Sequence, residues 1–334
     1  MNPIHSQLES LDQVHLHLGG GTGPVLSVVL ALIMFGVALG IKPGMLKNVF
    51  VHPKAVLTGV FLQWIGLPLV TFLLILILYP FLTPMVALGM LLVASCPGGN
   101  VSNFISSYAK GNVELSVSMT ALSTVFAPLI TPLNFLLWGN LYLRYASLTG
   151  TLTIPQLVIP FWDIFLTVFI ILGVPIVLGI LCARFFPTFT EKIKKPFSVF
   201  SLIVFILMVL GMFIPNWQLF ISYIIFVFVL VLIHNACAFG TGFGGASLMR
   251  LPRKDRRSIT IEVGIQNSGL GLTLLLNPAI FDPAIWNTGD VHYGGMLFVT
   301  AWWGIWHIIS GLTLATFMRR SDKEPKAAFS EGES

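Results

Sequence analysis

The sequence predicts an all-α polytopic membrane protein with nine transmembrane helices, two of them broken. The first observation is composition: mean hydropathy is +0.90, with 56% hydrophobic and only 9% charged residues, whereas soluble domains carry about 25% charged residues. The second is pattern, since the charges form short clusters between apolar runs long enough to span a bilayer. The third is that two of these runs are interrupted by glycine, proline and amide residues.

The apolar runs define the spans in order. The predicted spans are 24–41, 55–79, 85–110, 113–139, 160–185, 197–214, 218–249, 258–281 and 293–318. The third is broken within 94–103 and the eighth within 261–269. Because these two spans are five apart, they run through the membrane in opposite directions. That arrangement is typical of the inverted-topology repeats of secondary transporters, here spans 1–4 and 5–9.

Basic residues predict the orientation. With residues 1–23 as an extracytoplasmic tail and 319–334 as a cytoplasmic one, 17 of the 18 Lys and Arg residues fall on the cytoplasmic side, in 42–54, 110–113, 184–196, 250–257 and 319–334. The positive-inside rule favours this topology, in a plasma (inner) membrane. The net charge of +5 then reflects these loops, so we expect the lipid bilayer and no nucleic acid as partner; no protein partner is implied.

Glu262 is the acidic residue that the pattern places deep in a span. A carboxylate at that depth costs several kcal/mol unless it is paired, protonated or coordinated. The spans offer no Lys or Arg at comparable depth, which leaves a bound cation, a proton, or a position of Glu262 closer to the membrane interface than the pattern indicates.

Residues with neutral oxygen atoms occur in the spans that we expect to lie near Glu262. Oxygen-only donors with one carboxylate suit a hard, monovalent cation, whereas transition metals prefer thiolate or imidazole. The interpretation is therefore Na⁺, with a proton as the alternative. The donors are Ser102 and Asn103 in span 3, Ser116 and Thr120 on one face of span 4, Gln63 in span 2 and Gln266 in span 8.

An anion site is predicted beside the breaks. Half-helices that start there present free N–H groups and partial positive charge, next to the amides Asn100 and Asn267. His307 in span 9 either lines the same cavity or makes a helix–helix hydrogen bond, and the same two readings apply to His234 and Asn235 in span 7.

The two interrupted segments resemble the signatures of the bile acid/sodium symporter family. They are residues 95–103, SCPGGNVSN, followed by 109–112, 115–117 and Thr120, and residues 261–269, IEVGIQNSG. The likeness extends over most of the chain, and these motifs in this order are highly specific.

The resemblance implies a fold and a set of sites. It implies a panel domain, 24–41 with 160–214, and a core domain, 55–139 with 218–318, in which the two broken helices cross. One sodium ion would bind to Ser102, Asn103, Ser116, Thr120 and Glu262. A second would bind to Gln63, Glu262, Gln266 and the carbonyls of Val263 and Ile265. Substrate would bind beside Asn100, Val101, Asn267, Ser268 and His307.

The expected function is a sodium-coupled symporter that imports an organic anion by alternating access, and not an enzyme. The substrate stays open between bile acids, conjugated sterols and smaller acids such as pantoate. A proton-coupled transporter that uses Glu262 alone is the first alternative. An intramembrane hydrolase is disfavoured because no HExxH or GxSxG motif occurs, and a channel because the polar residues cluster at one depth.

Overall fold

The protein is all-helical over the part of the chain that the computed structural model describes, residues 8, 9, 11, 12, 22–41, 53–149, 161–214, 217–277, 280 and 293–321. Its helices long and apolar enough to cross a membrane are Pro53–Phe81, Val113–Leu148, Phe165–Phe185, Tyr223–Leu248 and Gly294–Arg320, with shorter apolar helices at Ser27–Ala38 and Pro84–Ser95. The prediction of an all-α polytopic membrane protein is confirmed, and the count of nine spans stays a prediction.

The helices are numbered here along the chain. They are α1 (Thr22–Ala38), α2 (Pro53–Phe61), α3 (Leu67–Leu78), α4 (Pro84–Ser95), α5 (Val101–Tyr108), α6 (Val113–Leu148), α7 (Phe161–Phe185), α8 (Pro187–Phe213), α9 (Trp217–Leu248), α10 (Arg253–Gly264), α11 (Ser268–Leu275) and α12 (Gly294–Arg320). A π-helical turn, Leu62–Gly66, joins α2 to α3. Every predicted span overlaps one of these helices or one of the broken pairs.

Three helices extend beyond the spans predicted for them. α6 continues to Leu148 and not 139, α8 begins at Pro187 and not 197, and α10 begins at Arg253 and not 258. The reason is that falling hydropathy marks where the apolar segment ends, while the backbone hydrogen-bond ladder continues into the polar region. The lysines assigned to the loop 184–196 therefore lie on the first turns of α8.

The two broken helices share one plan. Each consists of a 12-residue helix followed by an 8-residue helix, α4 with α5 and α10 with α11. The first break opens where Cys96 turns to extended backbone, with φ −71° and ψ 155°. Pro97, which has no N–H to donate, follows it.

The breaks cross and pair through their main chains. Gly99 N–H donates to the Ile265 carbonyl at 3.0 Å, and Asn267 N–H donates to the Pro97 carbonyl at 2.8 Å. These bonds form an antiparallel bridge between Gly98 and Gln266, so the chains run in opposite directions at the crossing, as the odd spacing predicts. Pairing satisfies backbone groups that apolar surroundings would otherwise leave unbonded.

Helix packing surrounds this crossing. α1 packs against α7 and α8, whereas α4 packs against α12 and α9 packs against α10. α6 contacts both sets, through α7 and through α4. Part of the predicted N-terminal tail is also packed into the molecule, because Leu8 and Leu11 are buried.

Candidate functional site

Glu262, on the last turn of α10, is fully buried and lies at the centre of a group of hydroxyls. Ser102 Oγ donates to Glu262 Oε2 at 2.6 Å and Ser116 Oγ donates to the same oxygen at 2.8 Å. Thr120 Oγ1 donates to Glu262 Oε1 at 2.5 Å. The carboxylate is thus held by hydrogen bonds from α5 and α6, two elements that the sequence separates from it by more than a hundred residues.

Asn103 completes this first group. Its Oδ1 lies 2.9 Å from Ser116 Oγ and 3.3 Å from Thr120 Oγ1, within hydrogen-bond distance of two of the hydroxyls that donate to Glu262. Ser116 and Thr120 lie on the same face of α6, since they are four residues apart on one helix. The structure therefore brings together all five residues predicted for the first sodium ion.

Gln63 approaches the crossing from the π-helical turn. Its Nε2 donates to the main-chain carbonyl of Glu262 at 3.4 Å, and its Oε1 accepts from Ser123 Oγ at 2.5 Å. A π-turn inserts an extra residue into a helix and is frequent at functional sites. The amide is buried, so the sequence-predicted role of Gln63 agrees with its position.

Gln266 lies within the second break, on the other side of the crossing. Its Nε2 donates to the Val263 carbonyl at 2.7 Å, while its buried Oε1 has no hydrogen-bond partner among the residues that the structure describes. The Ile265 carbonyl accepts from Gly99 N–H. Residues predicted for the second sodium ion thus meet around the crossing, and a buried acceptor without a donor is a position where a cation would compensate for the lost hydration.

The donor chemistry fits a hard cation. The side chains around Glu262 offer hydroxyl and amide oxygens as ligands. The described residues contain no group of three or more His, Cys, Asp or Glu side chains that could hold a metal. Such oxygen-rich surroundings do not favour a transition metal.

The predicted substrate residues line one cavity of about 340 Å³ between the crossing, α1, α8 and α12. They are Asn100, Val101, Asn267, Ser268 and His307. The Asn100 side chain is exposed to this cavity. Asn267 Oδ1 accepts from Leu270 N–H at 3.0 Å and so caps α11. The His307 ring is held by its own helix, with Nδ1 2.5 Å from the Trp303 carbonyl oxygen.

Asn235 on α9 supports the second break. Its Nδ2 donates to the carbonyl of Gly264, the last residue of α10, at 2.8 Å, and its Oδ1 accepts from Ser310 Oγ at 2.5 Å. It therefore positions the break and does not line the substrate cavity. Its neighbour His234 bonds to Thr71 Oγ1 at 2.8 Å in the helix packing. An amide inside an apolar span was the only sequence signal for this role.

Two crossed half-helix pairs around a buried carboxylate indicate the class of protein: a secondary membrane transporter. The model of the sodium bile acid symporter family matches residues 27–223. The chain is 30% identical over 303 residues to the "Uncharacterized sodium-dependent transporter YocS" of Bacillus subtilis, covering 90% of this chain and 85% of that protein.

Two further relatives extend the comparison. The ileal sodium/bile acid cotransporter of Cricetulus griseus is 26% identical over 284 residues, covering 82% of this chain and 77% of that protein. The P3 protein of Homo sapiens is 31% identical over 271 residues, 75% of this chain, and the chain spans only 51% of its length.

The chain belongs to the sodium bile acid symporter family. The resemblance inferred from the two signatures is therefore confirmed, and membership implies sodium-dependent transport of a small molecule by a multi-pass membrane protein. The relatives named for an activity are transporters, which agrees with the prediction that the chain is not an enzyme.

Proposed function

We propose that the protein is a sodium-coupled symporter that imports an organic anion by alternating access. The observation that carries this proposal is the buried Glu262 carboxylate at the crossing of two broken helices, surrounded by neutral oxygen donors. Sodium is cargo in this scheme, carried together with the anion.

Two ions are proposed, sharing Glu262. The first binds among the side chains of α5 and α6 described above, and the second among Gln63, Gln266 and the carbonyls of Val263 and Ile265. The unpartnered Gln266 Oε1 supports the second assignment and favours a cation over a proton, because a proton on Glu262 would leave that acceptor unsatisfied.

Charge links the two ligands. An ionised Glu262 repels an anion in the adjacent cavity, and cations beside it remove that repulsion. Each ligand therefore raises the affinity for the other, as linkage requires. Two Na⁺ with one monovalent anion move one net charge, worth about 2.3 kcal/mol per 100 mV of membrane potential.

The proposed moving parts are a panel of α1, α7 and α8 and a core of the remaining helices, with the N-terminus outside the inner membrane and the C-terminus in the cytoplasm. Support comes from the cavities, which lie between α1 and α8 on one side and the crossing on the other. At the start of α1 the two parts are joined, since Asn277 Nδ2 donates to Ser27 Oγ at 3.0 Å. Near the end of α1, Gly40 and Ile41 line an open cavity. This asymmetry is that of a cytoplasm-facing state.

The proposed substrate is a bile-acid-like anion or a smaller carboxylate. The cavity offers amides beside the N-terminus of α5, where main-chain N–H groups favour an anion. Apolar residues such as Ile33 and Val37 form the facing wall, which suits an organic body.

The test is uptake of taurocholate and pantoate into proteoliposomes under separate Na⁺ and H⁺ gradients. We expect uptake to require an inward Na⁺ gradient and to rise with an inside-negative potential. Uptake driven equally well by an H⁺ gradient without sodium would support the proton-coupled alternative instead.

Variants at Glu262 and on α6 sharpen this test. Glu262→Gln should abolish sodium-dependent uptake with folding retained, because the amide cannot offset a cation's charge. Ser116→Ala should lower the apparent sodium affinity by about tenfold, the loss of roughly one hydrogen bond to a charged group. Ser118→Ala is the matched control, since Ser118 is equally buried but bonds only to the Glu114 carbonyl of its own helix, at 2.7 Å. Sodium-dependent uptake by the Gln variant would contradict the role of Glu262.

A further inference from the structure

A second cavity adjoins the site and carries positive charge on one wall. Its volume is about 530 Å³, and its lining includes Asn103 and Thr120 of the Glu262 group. The facing wall is formed by the first turns of α8, where Lys194, Lys195 and Ser198 line the space. The predicted sodium and substrate sites do not include these lysines.

Among the described residues, the wall of this cavity contains no carboxylate to balance this charge. Lys194 forms an ion pair with Glu191 one turn earlier on α8, and both side chains are partly exposed, at 39% and 52%. Glu191 does not line the cavity, whereas Lys195 does, and Lys195 is exposed. Since an exposed i,i+3 pair contributes little and leaves its charges hydrated, the wall presents a net positive field to the cavity.

This cavity shares lining residues with the substrate cavity. Val37, Asn100 and Ser198 belong to both, so an anion that occupies one lies next to the other. The remaining wall is small or apolar, with Gly36, Ile41, Val117 and Ala121. The combination suits an organic anion whose apolar body contacts α1 and α6 and whose charged group faces α8.

We propose that Lys194 and Lys195 are specificity-determining residues that bind the charged group of the organic anion in the open cleft. This inference rests on the proposed function, which it deepens by assigning the selection of anions to two residues on α8. The lysines act at the mouth of the cleft, where clefts lined by one sign of charge concentrate oppositely charged ligands. The Glu262 group borders the same space through Asn103 and Thr120, so an anion held near the crossing beside bound cations also lies within the field of the lysines.

The experiment measures equilibrium binding of radiolabelled taurocholate and pantoate to the purified full-length protein in 100 mM Na⁺ (about 10 Å Debye length), and again at higher choline chloride. We expect the Lys194→Gln/Lys195→Gln variant to bind about tenfold more weakly and to lose most of the salt dependence. Lys194→Arg/Lys195→Arg should retain both properties, because the charge is kept. Lys192→Gln is the matched control: Lys192 is exposed on the same turns of α8 and does not line the cavity.

A sodium-induced rise in thermal stability, measured on every variant, separates the two levels of the argument. If sodium stabilises the protein, the wild type binds the anions, and the glutamine variant binds them equally well, the role of the lysines is wrong while the proposed function stands. If sodium neither stabilises the wild type nor promotes binding of either anion, the proposed function and this inference both fail. A variant that loses anion binding but keeps its stabilisation by sodium supports the lysines directly, because a misfolded protein would lose both.

Discussion

Gly98 lies directly against the Glu262 carboxylate at the centre of the site. A Cβ atom at this position would lie 2.5 Å from Glu262 Oε1 and 2.9 Å from Gln63 Nε2. Both side chains are buried and hydrogen-bonded, so neither can withdraw without losing its partners. A glycine is required here because the backbone of the first break passes directly beside Glu262 and Gln63, two residues proposed to bind the ions.

We therefore expect Gly98→Ala to reduce sodium-dependent uptake by at least about tenfold, since displacing the carboxylate by even a fraction of an ångström removes charge-assisted hydrogen bonds worth roughly 1.5–3 kcal/mol each. Uptake kinetics as a function of sodium concentration check this. Gly240→Ala on α9 is the control, because a Cβ there meets nothing within 4 Å. Equal sodium affinities in the two variants would show that the space beside Gly98 is not needed.

For single residues, the sequence indicated which side chains carry the chemistry but not which hydrogen-bond partners they have. A carboxylate among apolar residues is costly enough that Glu262 could be singled out by depth alone. The hydroxyl donors followed from the motifs, but Ser123, which bonds to Gln63, could not be distinguished from the other serines of span 4. Serines in membrane helices commonly bond to their own helix, as Ser118 does.

Among the elements, the N-terminal segment departs most from expectation. Asp12 is half-buried, and its carboxyl lies beside Thr83 and the first residues of α4 and α12, close to the main chain of Met85 and Gly295. Burial raises the pKa of the Asp12 carboxyl well above its ordinary value; the nearby Glu9 charge adds to this, and the polar groups of Thr83 and of the backbone oppose it. A segment predicted as a polar tail therefore packs against the beginnings of α4 and α12.

The raised pKa fixes the sign of a pH effect. Packing of this segment favours the neutral acid, so its contribution is complete below the ordinary carboxyl pKa and is lost as pH rises through the raised value. We expect hydrogen exchange of residues 8–12, corrected for intrinsic rates, to be about tenfold faster at pH 9 than at pH 5. Asp12→Asn should remove this pH dependence, because the amide stays neutral; an unchanged dependence in that variant would assign it to another group.

Element boundaries show what hydropathy can and cannot predict. The two breaks were predicted within a few residues, because Pro97 and the glycines cannot continue a helix. The π-turn at Leu62–Gly66 has no such signal, as its residues are compatible with an ordinary helix. The early start of α8 was missed for a different reason: its lysines are good helix formers that a hydropathy window reads as loop.

For the molecule as a whole, the contact between Ser27 on α1 and Asn277 after α11 joins the proposed panel to the proposed core. Asn277 is fully buried, and it lies at the opposite end of α1 from the open cavity. If the two parts move against each other, this is a place where they must separate.

Cross-linking tests that movement. With Cys96, Cys182 and Cys237 replaced by serine or alanine, Ser27→Cys/Asn277→Cys joined by a short bifunctional thiol reagent should reduce transport at least about tenfold, and cleavage of the linker should restore it. Each single-cysteine variant treated with the same reagent is the control. Full transport by the cross-linked protein would show that this contact does not open during the cycle.

Topology was the most predictable feature, because it follows from counting. The two breaks lie five spans apart, an odd separation that requires opposite directions, and the antiparallel bridge between Gly98 and Gln266 has that geometry. The pairing of specific backbone atoms could not be predicted, since sequence carries no record of which main-chain groups meet across 160 or more residues.

That pairing has a consequence for how such a chain can diverge. The crossing is held by main-chain hydrogen bonds of Pro97, Gly99, Ile265 and Asn267, which are largely indifferent to the identity of neighbouring side chains. Under the proposed function, exchanges at exposed positions such as Asn100 would therefore change what is carried without dismantling the crossing at which the ions are proposed to bind. One scaffold can in this way serve cargoes of different size and shape while its energy source stays the same.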